Sequence, residues 1–409
     1  MMTLKKIDEK TYELFVKSSN LSSFYQSIEW YHLKLDEGKT CELLGLYDDD
    51  TLVGVSLIIY VKVLKKYYYA YASRGFIYDY SNLEEFSRAL KEYFNKKVIF
   101  VKIDPPIILN LYDKSGEKDF KLENRQLIER LKYIGFKHHG FNMAFETEQF
   151  RFVHALKLTD SYNEQLKQMS KSTRKNIELA KFRGVNIIPV DKNELNEVLK
   201  FLNMSSDRKH FSSLSKKFYE RLLDNFKDNI KLYLVYIDKK EYIKNLQDKI
   251  NAEENKLQDL KKKMEHDNIG RKLKKEEELI NGAIKKYNDE LNEAQKMDNI
   301  TYIAAMVTIT KYKEVVSFAS GMDNSYRKFN PKYVMYPKMI EEAINEHLEY
   351  VNFLGVKNIF DRNDPDYGMY EVKKGFGGKT VEYIGEFDLP INHALYYSYK
   401  LIKKVKGRK

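Results

Sequence analysis

Cysteine is almost absent from this sequence, since Cys41 is the single thiol among 409 residues. One cysteine cannot form an internal disulfide, and it cannot supply the ligands of a cysteine metal cluster. These absences exclude a disulfide scaffold and a zinc finger. A lone thiol in a chain of this length is typical of a reducing compartment, so we expect a cytoplasmic protein.

Long apolar runs and the short motifs of common enzyme classes are also missing. The most apolar segment, residues 52–61, is far shorter than the ~20 residues that cross a bilayer, and the first ten residues lack the apolar stretch of a signal peptide. The eight histidines form no HExxH pair, and there is no GxSxG, Walker or GxGxxG motif. We therefore expect no metal and no cofactor, and a reaction without a covalent protein intermediate, as with an already activated ester.

The charge and length of the chain indicate its partners and its domain number. Lys and Arg total 71 against 60 Asp and Glu, a net charge of +11. This excess favours nucleic acid, an anionic lipid surface or a phosphorylated substrate, although a merely lysine-rich composition has the same charge. Since 409 residues with 43% hydrophobic content exceed what one core usually organises, we predict two domains.

Residues 241–297 have the composition of a helical hairpin. Two apolar seams with a/d heptad spacing are separated by a turn-forming cluster at residues 266–270, which predicts an antiparallel coiled-coil arm. The arm holds thirteen basic and thirteen acidic residues, so the net charge lies on the rest of the chain. The predicted tip carries the basic residues Lys261, Lys262, Lys263, Arg271 and Lys272. These could contact an RNA backbone, and a dimerising or solvated coiled coil is the alternative.

The segments that flank the arm form part of a repeat. We predict strands at 232–237, 300–309 and 315–320, then a helix at 336–348 and a strand at 350–354. The segments between residues 43 and 103 follow the same order, with a tight turn at 48–50 in place of the arm. This β-β-β-α-β repeat predicts two α/β or α+β domains of related topology.

Four further segments resemble one family. They are residues 368–388 (GMYEVKKGFGGKTVEYIGEFD), residues 23–30 (SFYQSIEW) followed by Lys34, residues 73–76 (SRGF) with a later Asp104-Pro105, and residues 174–185 (RKNIELAKFRGV). Over nearly the whole chain, they resemble the Fem-type (FemABX) aminoacyltransferases that build peptidoglycan interpeptide bridges. The resemblance implies an α+β fold of two GNAT-like (acetyltransferase-like) domains, residues 1–150 completed by 380–409, and residues 151–379 with the arm at 241–297.

The resemblance also implies a reaction and a set of site residues. An amine of the stem peptide, carried on lipid II, attacks the ester carbonyl of an aminoacyl-tRNA. By motif position, Lys373 is expected at the carbonyl oxygen, and Lys34 and Arg174 at the phosphates and peptide of the precursor. Asp104 is expected to orient or deprotonate the amine. An ordinary surface or turn-forming role remains the alternative for each, and no role is predicted for the pair His138-His139.

Two positions depart from the family pattern, and other functions remain open. Val372 and Phe76 replace the usual Phe and Pro, which bears on whether Gly, Ala or Ser is donated. The alternatives are an acyl-CoA-dependent N-acetyltransferase, although the CoA loop Q/R-x-x-G-x-G/A is missing, and a non-catalytic tRNA-binding or coiled-coil scaffold. We expect aminoacyl-tRNA and lipid II as partners, with a homodimer or a related transferase as a further one. For the lysines near the C-terminus, including Lys403 and Lys404, we expect either contact with anionic headgroups at the inner membrane surface or a frayed tail.

Overall fold

The structure is a computed structural model, and it describes residues 1–64, 66–94, 97–113, 115–119, 124–141, 148–209, 213–266, 271–357 and 359–406. The strands, in chain order, are β1 (Met2–Lys6), β2 (Thr40–Asp48), β3 (Thr51–Leu64), β4 (Tyr67–Ala72), β5 (Val98–Ile103), β6 (Ile108–Tyr112), β7 (Lys118–Asp119), β8 (Lys137–His138), β9 (Phe152–Lys157), β10 (Val185–Val190), β11 (Ile230–Asp238), β12 (Ile300–Lys311), β13 (Glu314–Met322), β14 (Tyr350–Gly355), β15 (Lys379–Tyr383) and β16 (Phe387–Pro390).

Most helices begin at a side chain that can accept a hydrogen bond from the first turn. Asp8, Ser27, Ser170 and Ser215 each accept from a backbone N–H two or three residues into the helix that follows. The α-helices are α1 (Glu9–Ser18), α2 (Ile28–Asp36), α3 (Leu83–Tyr93), α4 (Arg125–Tyr133), α5 (Tyr162–Gln168), α6 (Lys171–Phe182), α7 (Leu195–Lys209), α8 (Lys216–Phe226), α9 (Lys239–His266), α10 (Arg271–Gln295), α11 (Lys332–Asn345), α12 (Tyr367–Gly375) and α13 (His393–Lys406).

Two mixed sheets organise these elements. The first has the spatial order β1-β2-β3-β4-β5-β16-β8, and the second has the order β10-β11-β12-β13-β14-β9-β15-β6-β7. The element order β1-α1-α2-β2-β3-β4-α3-β5 recurs as β10-α7-α8-β11-β12-β13-α11-β14, apart from the insertion of α9 and α10 between β11 and β12. Each copy has three antiparallel pairings and then a parallel one. The predicted repeat and the α+β class are therefore confirmed. Helix α11 begins before the predicted Tyr336, because Pro331 favours a helix start at that point.

Two strands show how the chain passes between the sheets. β6, which falls within residues 1–150, pairs with β15 and so belongs to the second sheet. β16 pairs with β5, so the C-terminal segment returns to the first sheet after β15 has contributed to the second. An apolar cluster joins the two halves, since Trp30 and Leu57 lie in one core with Phe218 and Leu234.

Helices α9 and α10 leave the second sheet between β11 and β12. Four residues of the predicted seams, Leu246, Ile250, Leu260 and Ala294, are buried, whereas most of the charged residues between them are exposed. The Tyr242 hydroxyl donates to Glu290 Oε2 (2.7 Å), which joins the beginning of α9 to the end of α10. The base of the hairpin belongs to the core of the second sheet, because Tyr242 and Leu246 pack into the same cluster as Phe376.

Candidate active site

Asp104 lies directly after β5, at the carboxyl end of a buried strand. Its carboxylate accepts hydrogen bonds from the Tyr71 hydroxyl (2.7 Å) and the Arg74 backbone N–H (2.5 Å), and only 1% of the residue is exposed. Burial raises the pKa of Asp104 to about 7, against the opposing effects of the Arg74 charge and the Tyr71 hydrogen bond. A carboxyl group with this pKa can exchange protons near neutral pH.

Arg74 shapes one wall of a cleft beside Asp104. It follows β4 with a φ of 51°, its guanidinium donates to the Phe150 carbonyl (2.6 Å), and it stacks on Tyr383 at 4.5 Å from the ring centroid. Gln149 and Glu386 also contribute to the lining of this cleft. Gly75 is required at the next position, since a Cβ there would lie 2.7 Å from Ser56 Oγ.

Lys373 lies on α12, and 5% of the residue is exposed. Its ammonium donates to the Gly355 carbonyl (2.7 Å), at the carboxyl end of β14. β14 occupies the same place in the second copy of the repeat as β5 does in the first. The Lys373 ammonium and the Asp104 carboxylate therefore lie at equivalent strand ends of the two sheets.

One residue connects these two strand ends. The Phe150 carbonyl accepts the Arg74 hydrogen bond, while its ring packs against Gly355 so closely that a Cβ there would lie 2.3 Å from Phe150 Cδ1. Gly355 in turn holds Lys373. Asp104, Arg74, Phe150, Gly355 and Lys373 thus form a continuous chain of contacts from the first sheet to the second.

A charged network underlies the cleft. The Lys102 ammonium donates to Glu386 Oε2 (3.0 Å), and His139 Nε2 lies 2.8 Å from Asp388 Oδ2. Although burial opposes ionisation, the His139 hydrogen bond and the Lys102 charge lower the pKa of Asp388 to about 2. Sequence analysis predicted no role for the pair that includes His139, but the structure places His139 in the lining of the cleft.

The two predicted binding residues, Lys34 and Arg174, are not among the described residues that line the cleft beside Asp104. Lys34 on α2 pairs with Glu37 (2.7 Å) and lies over the Trp30 ring, 4.4 Å from its centroid, and over the Phe218 ring. Arg174 on α6 donates to the Met169 carbonyl (3.0 Å) at the end of α5. Helix α6 contacts the helix of Lys373, since the Ser170 N–H donates to the Gly375 carbonyl (2.9 Å).

The predicted tip residues of the hairpin are exposed at the facing ends of its helices. Lys261, Lys262 and Lys263 lie near the end of α9, and Arg271 and Lys272 begin α10. Most of the turn cluster predicted at 266–270 lies outside the described residues. These exposed cations are not among the described residues that line the cleft beside Asp104.

Sequence reasoning missed the residues that support the two strand ends. Tyr71, Gln149 and Phe150 have no motif of their own, and Arg74 enters only as part of a family segment. The segments that follow β4 and β5 could have been placed side by side from the repeat alone, because parallel neighbouring strands end at the same sheet edge.

No helix in the described part of the chain is long and apolar enough to cross a bilayer, and the described side chains include no cluster of three or more His, Cys, Asp or Glu able to hold a metal.

Comparison with known proteins gives consistent results in sequence and in fold. A family model described as the FemAB family matches residues 7–404. Aminoacyltransferase FemA of Staphylococcus epidermidis is 30% identical over 419 residues, covering 99% of this chain and 100% of that protein, and FemA of Staphylococcus aureus is 30% identical over 418 residues with 100% of both chains covered. The crystal structure of FemX superposes with a TM-score of 0.73 at 24% identity, covering 96% of this chain and 98% of that chain. The fold is therefore shared with FemX.

Proposed function

Because this chain belongs to the FemAB family and is an aminoacyltransferase, we propose that it transfers an amino acid from aminoacyl-tRNA to an amine of the lipid II stem peptide, building a peptidoglycan interpeptide bridge. This proposal rests on one observation: the buried Asp104 carboxyl group and the buried Lys373 ammonium lie at equivalent strand ends of the two sheets. Contacts through Phe150 connect these two ends. An amine nucleophile needs a proton acceptor, and an ester carbonyl needs a cation or donor near its oxygen.

The two groups divide the chemistry between them. Asp104 accepts the proton that the stem-peptide ammonium must lose before it attacks the ester carbon. As the new C–N bond forms, negative charge grows on the carbonyl oxygen, where the Lys373 ammonium stabilises it. The C–O bond to the tRNA ribose then breaks, and Asp104 returns the proton that it accepted to the departing oxygen. The nitrogen of the tetrahedral adduct gives up its second proton to the same carboxylate, which releases it to solvent, so that a neutral amide and a free ribose hydroxyl remain. Arg74 holds the carboxylate in place through its N–H.

We further propose that the sheets mark two domains, residues 1–150 with 380–409 and residues 151–379, and that 241–297 forms a coiled-coil arm. Support comes from the repeated element order and from the return of β16 to the first sheet. β6, β7 and most of β15 are exceptions to this division, because they fall within the residues assigned to the first domain but pair in the second sheet.

Transfer of a labelled amino acid tests the function directly. Purified protein is mixed with lipid II and with tRNA charged with labelled Gly, Ala or Ser, and the product is identified by the mass added to the stem peptide. We expect transfer from one of these charged tRNAs. Transfer from an acyl-CoA instead would favour the acetyltransferase alternative, and tRNA binding without any transfer would favour the scaffold.

Lys34 is proposed to bind the phosphates of the acceptor. Lys34→Met should raise the Michaelis constant for lipid II by about tenfold and change turnover little, because a charge-assisted contact made equally in ground and transition states contributes binding alone. The matched control is Lys39→Met, which removes an exposed lysine a few residues beyond α2. Unchanged constants in both variants would contradict the assignment. Arg174→Lys serves as a companion variant, and its unfolding temperature is needed because Arg174 also holds the end of α5.

The tip of the hairpin is proposed to contact the tRNA backbone. Lys261→Gln, Lys262→Gln and Lys263→Gln combined should weaken aminoacyl-tRNA binding and lower the salt dependence of its association constant, since fewer counterions are released. The slope should fall by about one for each phosphate that the variant no longer neutralises. Arg271 and Lys272 complete the proposed patch.

A variant with the same charge change on the same helices controls for net charge. Lys244→Gln, Lys285→Gln and Lys286→Gln remove exposed lysines nearer the base of the hairpin. Binding should weaken more in the tip variant than in this control. Equal loss in both would reduce the effect to long-range attraction, and no loss in either would make the hairpin a spacer or a dimerisation element.

A further inference from the structure

Helix α13 carries an apolar stripe on its outer side. Tyr397, Leu401 and Val405 follow one another at intervals of four residues and are 56%, 64% and 58% exposed. Residues four apart on a helix lie on the same face, so these side chains form one strip. Ile402, also exposed, widens it.

The inner side of the same helix is firmly attached. Leu395, Tyr396 and Tyr399 pack against Phe100 of β5, and Phe100 and Tyr396 meet edge to face with ring centroids 5.4 Å apart. The Lys400 ammonium lies 2.8 Å from Asp388 Oδ2. The outer stripe is therefore held in a fixed orientation on the first sheet.

Exposed positive charge accompanies the stripe. Lys403 and Lys404 are exposed on the same helix, and the +11 net charge of the chain lies outside the neutral segment 241–297. Lys404 lies three residues after Leu401 and so flanks the stripe, whereas the Lys403 ammonium lies 5.6 Å from the centroid of the Tyr399 ring. A helix with an apolar face and lysines at its flanks is suited to the boundary between lipid headgroups and acyl chains, where the apolar side chains insert and the ammonium groups stay with the phosphates.

The attachment also relates the stripe to the cleft. Asp388 joins Lys400 of α13 to His139, and His139 lines the cleft beside Asp104. Helix α13, which carries the stripe, is thus connected to the lining of the cleft through two side-chain contacts.

We propose that α13 is a docking surface for an anionic phospholipid bilayer. The apolar stripe of Tyr397, Leu401 and Val405 lies in the interface, and Lys403 and Lys404 contact the anionic headgroups. The purpose of this docking rests on the proposed function, because an acceptor carried on a lipid is presented at a bilayer surface. The docking itself does not depend on catalysis.

Vesicle co-sedimentation without any substrate tests the docking. The full chain should bind vesicles containing about one-third phosphatidylglycerol in phosphatidylcholine, and bind pure phosphatidylcholine at least tenfold more weakly, since each lysine near an anionic surface contributes about a fivefold change. Leu401→Gln, Lys403→Gln and Lys404→Gln combined should reduce binding to the mixed vesicles by at least tenfold.

The matched control makes the same chemical change on α1. Lys10→Gln, Leu14→Gln and Lys17→Gln also remove one exposed leucine and two exposed lysines. This control should retain vesicle binding. Equal loss in both variants, or no binding by the parent protein, would overturn the proposal. A second copy of the chain is the other partner that the stripe could bind. Sedimentation velocity of the α13 variant tests for it, because loss of a dimer in this variant would also overturn the proposal.

Transfer assays with two different acceptors distinguish a failure of docking from a failure of the proposed function. The α13 variant should lose most of its transfer to lipid II in mixed vesicles but keep its transfer to a water-soluble stem peptide with a free amine. Vesicle binding without transfer to either acceptor would leave the docking standing and contradict the proposed function. Transfer to both acceptors that is unaffected by the variant would overturn a role for docking in substrate access.

Discussion

Lys373→Met should lower turnover at saturating substrates by roughly 100-fold or more and leave the binding of both substrates nearly unchanged. A group that stabilises charge on the carbonyl oxygen acts in the transition state, and removal of one such group costs on the order of 3 kcal/mol in activation free energy. Methionine has a similar length and no charge, so the packing of α12 should be largely kept. Single-turnover measurements with both substrates bound would isolate this step.

The same substitution should also affect stability. The Lys373 ammonium donates to the Gly355 carbonyl in a buried site, and Met leaves that acceptor without this donor. Such a change costs about 1–3 kcal/mol of the free energy of unfolding. Denaturant unfolding of the variant therefore has to accompany the kinetics, so that the activity of folded protein alone is compared.

The neighbouring lysine provides the control. Lys374 lies on the same helix, pairs with Glu371 (2.7 Å) and lies over the Tyr370 ring. Lys374→Met should keep turnover within a few-fold of the parent. If Lys373→Met raised only the Michaelis constant for lipid II, Lys373 would be a binding residue and the oxyanion role would be wrong.

The elements that sequence analysis predicted well are those with local, periodic signals. The seam of residues Leu246, Ile250 and Leu260 follows from heptad spacing, and α9 and α10 bury the same residues. The repeat of strands and helix follows from apolar runs separated by turns. In both cases the pattern lies within a short stretch of chain.

The supports of the candidate site lacked such a signal because they depend on contacts between distant segments. Phe150 meets Arg74 and Gly355, which are separated from it by 76 and more than 200 residues. The pairing of β6 with β15 in the second sheet is also a long-range contact, since about 270 residues separate the two strands. His139 shows the same limit, since its partners Glu386 and Asp388 lie on a segment that returns from the other end of the chain.

Asp104 should impose an acid limb on the pH dependence of kcat/KM. Burial raises its pKa to about 7, and only the ionised carboxylate can accept the proton of the attacking amine. Activity should therefore rise as pH increases through about 7. Asp104→Asn should lower kcat/KM by roughly 100-fold or more and remove this limb.

The same pKa predicts the direction of a stability effect. The folded-state pKa of Asp104 lies above the ordinary value of 3.8, so folding favours the protonated form. This contribution to the free energy of unfolding is fully present below about pH 4 and is lost as pH rises through about 7. The unfolding temperature of Asp104→Asn should fall less between about pH 5 and pH 8 than that of the parent protein. An equal fall in both would show that Asp104 does not titrate in this range.

A neighbouring tyrosine makes the assignment specific to Asp104. The Tyr71 hydroxyl donates to the carboxylate and lowers its pKa, so Tyr71→Phe should move the acid limb to higher pH while most of the maximal rate remains. Tyr69→Phe, on the same strand, removes a hydroxyl that contacts Glu148 instead and should leave the limb in place. A limb that stays fixed in Tyr71→Phe, or one that persists in Asp104→Asn, would assign the titration to another group and withdraw Asp104 as the proton acceptor.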